Sequence, residues 1–359
     1  MNNPDLRIYT EEMDKDSIYK IFQEICRQVP VIILGSGASC AAGIPGIGAL
    51  AEHLLEKLEN NTSDDWKEIS NDLRKNVNLE TALNKTLPED LIKEIIKTVG
   101  GYISEKDREV RDRYFNHNQQ MTIPVEPLLK YYRSEILTII TPNYDCLVEY
   151  CCDELKIHCN TGFVGYFRKA LDFEKAERAV EYVDRSVVIK SKRRQIAKRT
   201  PHVKLFKVHG SVDWYDFNNS TVSDIFLISS EKYEDKRLII LPGDRKYSKA
   251  FHEPYRELIQ KADNSLRSGK AFLMIGYGFN DDHLQEILVK RLKEDEKPGI
   301  IITKELSEKA KKLLSDCPNL WGVSQKNSST VICNREDEYE ISDIELWKID
   351  EFIRVILGG

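Results

Sequence analysis

The sequence predicts an α/β protein built on a Rossmann-like, doubly wound parallel sheet that carries a helical insertion. Three observations lead there. Short apolar runs rich in β-branched residues recur along the chain: VIIL (31–34), ILTII (136–140), KLFKV (204–208), LIIL (238–241), FLMI (272–275) and GIIIT (299–303). They are continuous rather than alternating, the pattern of strands covered on both faces. Amphipathic helical stripes separate several of them, and strand–helix alternation is the mark of a doubly wound sheet.

The elements follow in order. After VIIL, Ile47, Leu50, Leu54, Leu55 and Leu58 form one stripe of a helix over 44–58, with Glu52, Glu56, Lys57 and Glu59 opposite. Residues 62–130 hold helix-like spacings (Leu73, Val77, Leu83, Leu87, Leu91, Ile95, Val99) and few strand signals, so a helical subdomain is expected between the first βα unit and the second strand. A helix over 145–155 buries Leu147, Val148, Cys151, Cys152 and Leu155, and one over 281–294 buries Leu284, Ile287, Leu288 and Leu292. Residues 160–202 interrupt the alternation and end in KSKRRQIAKR (190–199), a basic stretch that reads as a solvated face or as a contact with nucleic acid or an acidic partner. Beyond about 306 lies a C-terminal extension with a helix on Leu346, Ile349, Phe352, Ile353 and Ile356, which packs on the core or binds another chain. One domain spanning 1–359 accommodates all of this.

Composition excludes several classes. With 41% apolar and 31% charged residues the chain is globular, and its net charge of -6 argues against a chain-wide grip on nucleic acid or an anionic membrane. No apolar run reaches membrane-spanning length, and the polar, acidic N-terminus does not read as a signal peptide, so a cytoplasmic protein is expected. The eight cysteines include no C-x-x-C pair, and buried thiols are expected in place of a disulfide framework, with a metal site as the alternative.

The chemistry concentrates at the ends of the apolar runs. Gly35 and Gly37 follow a strand and precede a helix, where glycine lets a phosphate approach backbone amides. Cys40 replaces the third glycine of the dehydrogenase fingerprint, and no Gly-Lys-Ser/Thr follows to make a P-loop. Asp145 starts a helix, for which a capping role is the alternative to a functional one, and Asp281 and Asp282 open another and read as caps. Asn143 can donate and accept, and His209 can exchange a proton near neutral pH.

Residues 35–45, G-S-G-A-S-x-x-x-G-I-P, resemble the first signature of the sirtuin family. TPNYD (141–145) resembles that family's Thr-x-Asn-x-Asp, KVHGS (207–211) its catalytic His-Gly, and IGYGFND (275–281) its Gly-rich turn over the dinucleotide. The likeness covers roughly 20–305 and departs from the deacylating members in three places: Pro142 replaces Gln, Gly46-Ile47-Gly48 replaces Asp-Phe-Arg, and only Cys317 and Cys333 lie beyond His209, too few for the zinc ribbon. These departures are similar to those of bacterial sirtuin-like proteins that hydrolyse NAD in antiviral defence. The resemblance then implies Asn143, His209 and Asp145 as catalytic residues, and Gly35, Gly37, Ala38, Ser39, Gly43, Pro45, Thr141, Gly276, Tyr277 and Thr303 around the dinucleotide, with no zinc. NAD is the expected substrate. Competing expectations are an NAD-dependent protein deacylase or ADP-ribosyltransferase, and a non-catalytic NAD or ADP-ribose sensor. Because unregulated NAD consumption would be toxic, assembly as a homo-oligomer or with a partner such as a HerA-type ATPase is expected.

Overall fold

The computed structural model describes residues 14–116, 121–184, 188–189, 192–193, 195–217, 220–228, 230–241 and 253–358. Numbering only the strands of the main sheet, these are β1 (Val31–Leu34), β2 (Ile136–Thr141), β3 (Cys159–Asn160), β4 (His202–Lys207), β5 (Phe272–Ile275), β6 (Gly299–Ile302), β7 (Leu320–Lys326), β8 (Ser329–Cys333) and β9 (Glu338–Ile341). Their spatial order is β9-β8-β7-β6-β5-β1-β2-β4-β3. Every neighbouring pair from β7 to β3 is parallel, and β8 and β9 close one edge antiparallel. The protein is thus a mixed α/β fold around a large, mostly parallel Rossmann-like sheet.

Why β1 lacks polar residues is visible in its alternation. Ile32 and Leu34 join one buried cluster with Ile139, Leu273, Ile275 and Ile302, while Val31 and Ile33 join a second with Phe272, Met274 and Ile301. Period-two geometry sends successive side chains to opposite faces, and here both faces are dry. Helices Tyr255–Ser268, Asp282–Lys293 and Glu308–Asp316 cover the second face through Leu258, Leu266, Leu284, Leu288, Leu292 and Leu313. Helices Lys15–Arg27 and Leu147–Leu155 cover the first through Phe22, Ile25, Leu147, Val148 and Cys151. The described residues between β1 and β2 form helices, among them Ile47–Lys57, Asp64–Arg74, Leu79–Ala82, the long Glu89–Tyr114 and Glu126–Tyr131, and their apolar stripes join the same cluster.

Two expectations are corrected. LIIL does not join the parallel sheet: Arg237–Ile239 pairs antiparallel with Gly210–Phe217 in a separate five-stranded sheet. A run that short is apolar in either setting, so composition alone does not select the partner. The C-terminal extension, for which the sequence signalled only a helix, also adds β7, β8 and β9. The terminal residues Leu346, Ile349, Phe352, Ile353 and Ile356 are all buried in the core, where Phe352 and Trp321 both flank the Phe22 ring. The basic stretch 190–199 lies partly outside the described residues; within them, Glu181–Asp184 and Ile196–Arg199 form an antiparallel ribbon.

Candidate active site

From β1 the chain runs outward to β2 and β4, then returns across β1 to β5, so the strand order reverses between β1 and β5. In open α/β sheets the crevice at such a switch point, beyond the carboxyl ends of the strands, is where ligands collect. β1 and β5 end level, with Leu34 paired to Ile275. The turns that follow them touch. The Gly35 amide donates to Ile275 O (2.9 Å) and the Gly37 amide to Gly276 O (3.1 Å).

This contact gives the glycines a reason that the sequence reading did not contain. A Cβ on Gly35 would lie 2.3 Å from Gly276 O, and one on Gly276, whose φ is +57°, would lie 2.3 Å from the Ala38 nitrogen. Bare backbone is needed here for two turns to pack against each other. Since the Gly37 amide is occupied by Gly276 O, it is not aimed at a phosphate.

A pocket opens beside this contact, and the loops after β1, β2, β4 and β5 all reach it. Gly35, Ser36, Ser39 and Pro45 line it from the first loop, Pro142, Asn143, Tyr144 and Asp145 from the second, His209 from the third, and Tyr277, Gly278, Asn280 and Asp281 from the fourth. Ile47, Leu50, Glu80 and Ile103 close the remaining side from the helices between β1 and β2.

Hydrogen bonds fix the second loop in place. Thr141 Oγ1 donates to Leu34 O (2.8 Å) and accepts from the Asn143 amide (3.0 Å). Asn143 Nδ2 donates to Gly35 O (2.9 Å) and to Ser39 Oγ (2.8 Å). Ser39 Oγ in turn donates to Asp145 Oδ2 (2.7 Å), while Asp145 Oδ1 accepts from the Leu147 amide (3.3 Å). The capping position of the helix is Cys146 rather than Asp145, which stands one residue before it, accepts from the first helical amide and faces the pocket.

Behind this loop lies a charged interior. Lys207, 1% exposed, donates from Nζ to Asp145 O (2.6 Å), Glu149 Oε1 (3.0 Å) and Ser211 Oγ (2.5 Å). Burial opposes its charge, but Cys146, Glu149, Asp213 and Asp145 outweigh that and push its pKa up. Burial also raises the Glu149 carboxyl, against the pull of Lys207. The lysine thereby pins the loop bearing Asn143 and Asp145 to the strand that leads into His209.

His209 is 7% exposed, and its Nε2 lies 2.6 Å from Asp281 Oδ2. Cys40, close to the site in sequence and itself exposed, has its thiol pKa raised by partial desolvation and then by the charge of Asp145, which disfavours a thiolate nucleophile.

Among the expected site residues, Asn143, Asp145, His209, Gly35, Ser39, Pro45 and Tyr277 line the pocket together. Ala38 and Thr141 instead line a smaller inner cavity with Glu149 and Lys207. Gly37 and Gly276 serve the turn contact, and Gly43, at φ +102°, forms a turn facing Val110 and Arg113. Thr303 lies at the end of β6, its amide bonded to Val323 O (3.0 Å) and its hydroxyl to Glu305 O (3.1 Å). Sequence reasoning missed Glu80, Ile103, Ser36 and Asn280, and took Asp281 as a cap only. The N-D pair closing IGYGFND was the one signal for the last two. Among the described residues no group of three or more His, Cys, Asp or Glu is placed to hold a metal, and no helix is long and apolar enough to cross a membrane.

No curated protein sequence matches the chain. Among solved structures, one described as "The Structural basis of Sirtuin Substrate Affinity" shares 12% identity over 96% of this chain and 99% of its own, with a TM-score of 0.43. Another, "Structural Basis for the Mechanism and Regulation of Sir2 Enzymes", shares 15% over 83% of this chain and 89% of its own, with a TM-score of 0.39. A family model for the SIR2-like domain matches residues 137–321, more than half of the 359 residues and a span that includes Asn143, Asp145, His209 and Asp281, and the chain belongs to that SIR2-like family.

Proposed function

We propose that the protein is an NAD+ glycohydrolase, cleaving NAD+ to nicotinamide and ADP-ribose, and that it acts in the cytoplasm as a bacterial antiviral effector that depletes NAD. The observation that carries this reading is the meeting of Ser39, Asn143, Asp145 and His209 in one pocket at the switch point of a SIR2-like domain.

The chemistry asks chiefly for placement. Breaking the bond from ribose to the pyridinium nitrogen leaves positive charge on the sugar, while the bonding electron pair departs with neutral nicotinamide. Water then bonds to the anomeric carbon and loses a proton. Asp145 would hold the nicotinamide carboxamide. Asn143 has its Nδ2 committed to Gly35 O and Ser39 Oγ, so the acceptor Oδ1 is what it offers to a ribose hydroxyl or the water. His209 would take the proton. Gly35 and Ser36 would border the pyrophosphate. Holding substrate, water and base in register is the main source of rate in such a reaction.

Incubating the purified protein with NAD+ and following nicotinamide release tests the reading. Asn143→Ala and His209→Ala are each expected to lose activity by roughly a hundredfold or more. Unchanged turnover in both variants rejects the assigned site. Acceleration by an acylated peptide would indicate deacylation, and tight NAD binding with no cleavage would indicate a sensor. Continuous NAD loss would be toxic, so the activity is expected to be gated by self-association or by a partner such as a HerA-type ATPase. A monomer by light scattering that turns over at full rate alone would contradict the gating.

A further inference from the structure

We infer that Asp281 is a positioning residue for His209, holding the imidazole with a proton on Nε2 so that Nδ1 is the nitrogen able to accept one. Its role in catalysis rests on the glycohydrolase reading above; the arrangement of protons does not.

Two contacts of the carboxylate bear on the histidine. Asp281 Oδ2 lies 2.6 Å from His209 Nε2. Oδ1 accepts from the Leu284 amide (3.4 Å), and the Asp281 carbonyl accepts the first helical bond, from the Gln285 amide (3.0 Å). Asp281 is therefore the capping residue of helix Asp282–Lys293, and the amides at a helix N-terminus favour an ionised carboxylate. The approach is not a well-aligned hydrogen bond, but a bare ring nitrogen 2.6 Å from an ionised carboxylate would be repelled, so Nε2 is the nitrogen that carries the proton. Once Nε2 carries the proton in the neutral ring, Nδ1 carries the lone pair.

The surroundings leave the pair little freedom. His209 and Asp281 are both buried, at 7% and 4% exposure. The His209 carbonyl accepts from the Ile240 amide (2.9 Å). The next residue, Gly210, has φ +86°, and a Cβ there would lie 2.0 Å from Leu238 O, so the turn holding His209 has one backbone path. Both residues line the pocket with Asn143 and Asp145. An imidazole fixed at its backbone and at one ring nitrogen presents the other in a constant direction, the arrangement that general-base catalysis requires.

The experiment uses the full chain with 15N-labelled histidine. There are seven histidines, and the His209 ring signals are those lost in His209→Gln. Long-range 1H–15N correlation at mildly alkaline pH distinguishes a protonated from a bare ring nitrogen. The wild type is expected to show protonated Nε2 and bare Nδ1 at His209. In Asp281→Ala that pattern is expected to give way to the averaged signals of an unconstrained ring, with kcat for NAD+ cleavage lower on the order of a hundredfold. KM is expected to change by less than about twofold. Asp281→Asn retains a capping side chain, guards against loss of the helix, and is expected to lower kcat in the same direction. A His209 protonated on Nδ1 in the wild type, or an Asp281→Ala kcat within about twofold of wild type, overturns the proposal. The ring signals are read without substrate, so a wild type that does not cleave NAD+ would remove the glycohydrolase reading and leave the tautomer to be decided by the spectrum.

Discussion

A methyl group on Gly35 would meet Gly276 O at 2.3 Å and the Tyr277 Cα at 2.6 Å, both backbone atoms with no rotamer to escape into. Gly35→Ala is therefore expected to push the turns after β1 and β5 apart and to destabilise the fold by about 1–3 kcal/mol, the usual cost of overpacking. A lowered urea midpoint with unchanged slope is the expected result. An unchanged midpoint would mean that the two turns do not need each other. The same position shows how far single residues could be read in sequence. A glycine cluster after a strand signals close backbone approach, but the signal is identical whether a ligand or another turn does the approaching. Asp281 illustrates the complementary case. Its capping role follows from local sequence, whereas its contact with His209 depends on β4 and β5 bringing distant segments together.

Elements carry the site's support. Helix Glu89–Tyr114 gives Ile103 to the pocket and Asp107 to the interior, where Asp107 accepts from the Cys146 amide (2.7 Å) and from the Tyr150 hydroxyl. Burial raises the Asp107 pKa to about 7, against the two hydrogen bonds that favour its charge. An unfolded Asp titrates near ~3.9, so between about pH 4 and pH 7 the folded state binds the extra proton. Stability is accordingly expected to fall as pH rises through that window, by on the order of a few kcal/mol, and Asp107→Asn is expected to flatten the dependence. Urea midpoints measured across the window check it, and an equal slope in both proteins would refute it. At the end of β4, Lys207→Met would leave Glu149 and Asp213 without their buried cation, which is expected to cost roughly 3–5 kcal/mol. Adding Glu149→Gln should recover part of that. β1, β2, β5 and β6 were legible because a run covered on both faces is almost wholly apolar, whereas the two-residue β3 (Cys159–Asn160) is too short to leave such a run. β7 and β8 were less legible, since LWGVSQK and STVIC mix polar with apolar residues, as suits strands passing from the interior toward a sheet edge. The helical stripes before β2 predicted burial, but a stripe does not say which of its neighbours, such as Glu80 and Ile103, will face a pocket.

At the scale of the molecule, the buried cluster on the first face of the sheet takes in both chain ends of the described region. Helix Lys15–Arg27 contributes Phe22, β7 contributes Trp321, and the C-terminal segment contributes Phe352; the Phe22 ring stands 5.7 Å from each of the other two rings. Spacing alone left the C-terminal stripe free to serve this chain or another, because an apolar face looks the same before its partner is known. Its burial here commits it to the chain's own core. Phe352, with 0% exposure, is then a strut between the first and last helices. Phe352→Ala is expected to cost about 3–5 kcal/mol, the range for emptying an aromatic site in a packed interior. The change should appear as a lower denaturation midpoint, with oligomeric state by light scattering unaltered. If instead the variant kept its midpoint and lost self-association, the segment would be an intermolecular surface, and the buried arrangement would be secondary to it.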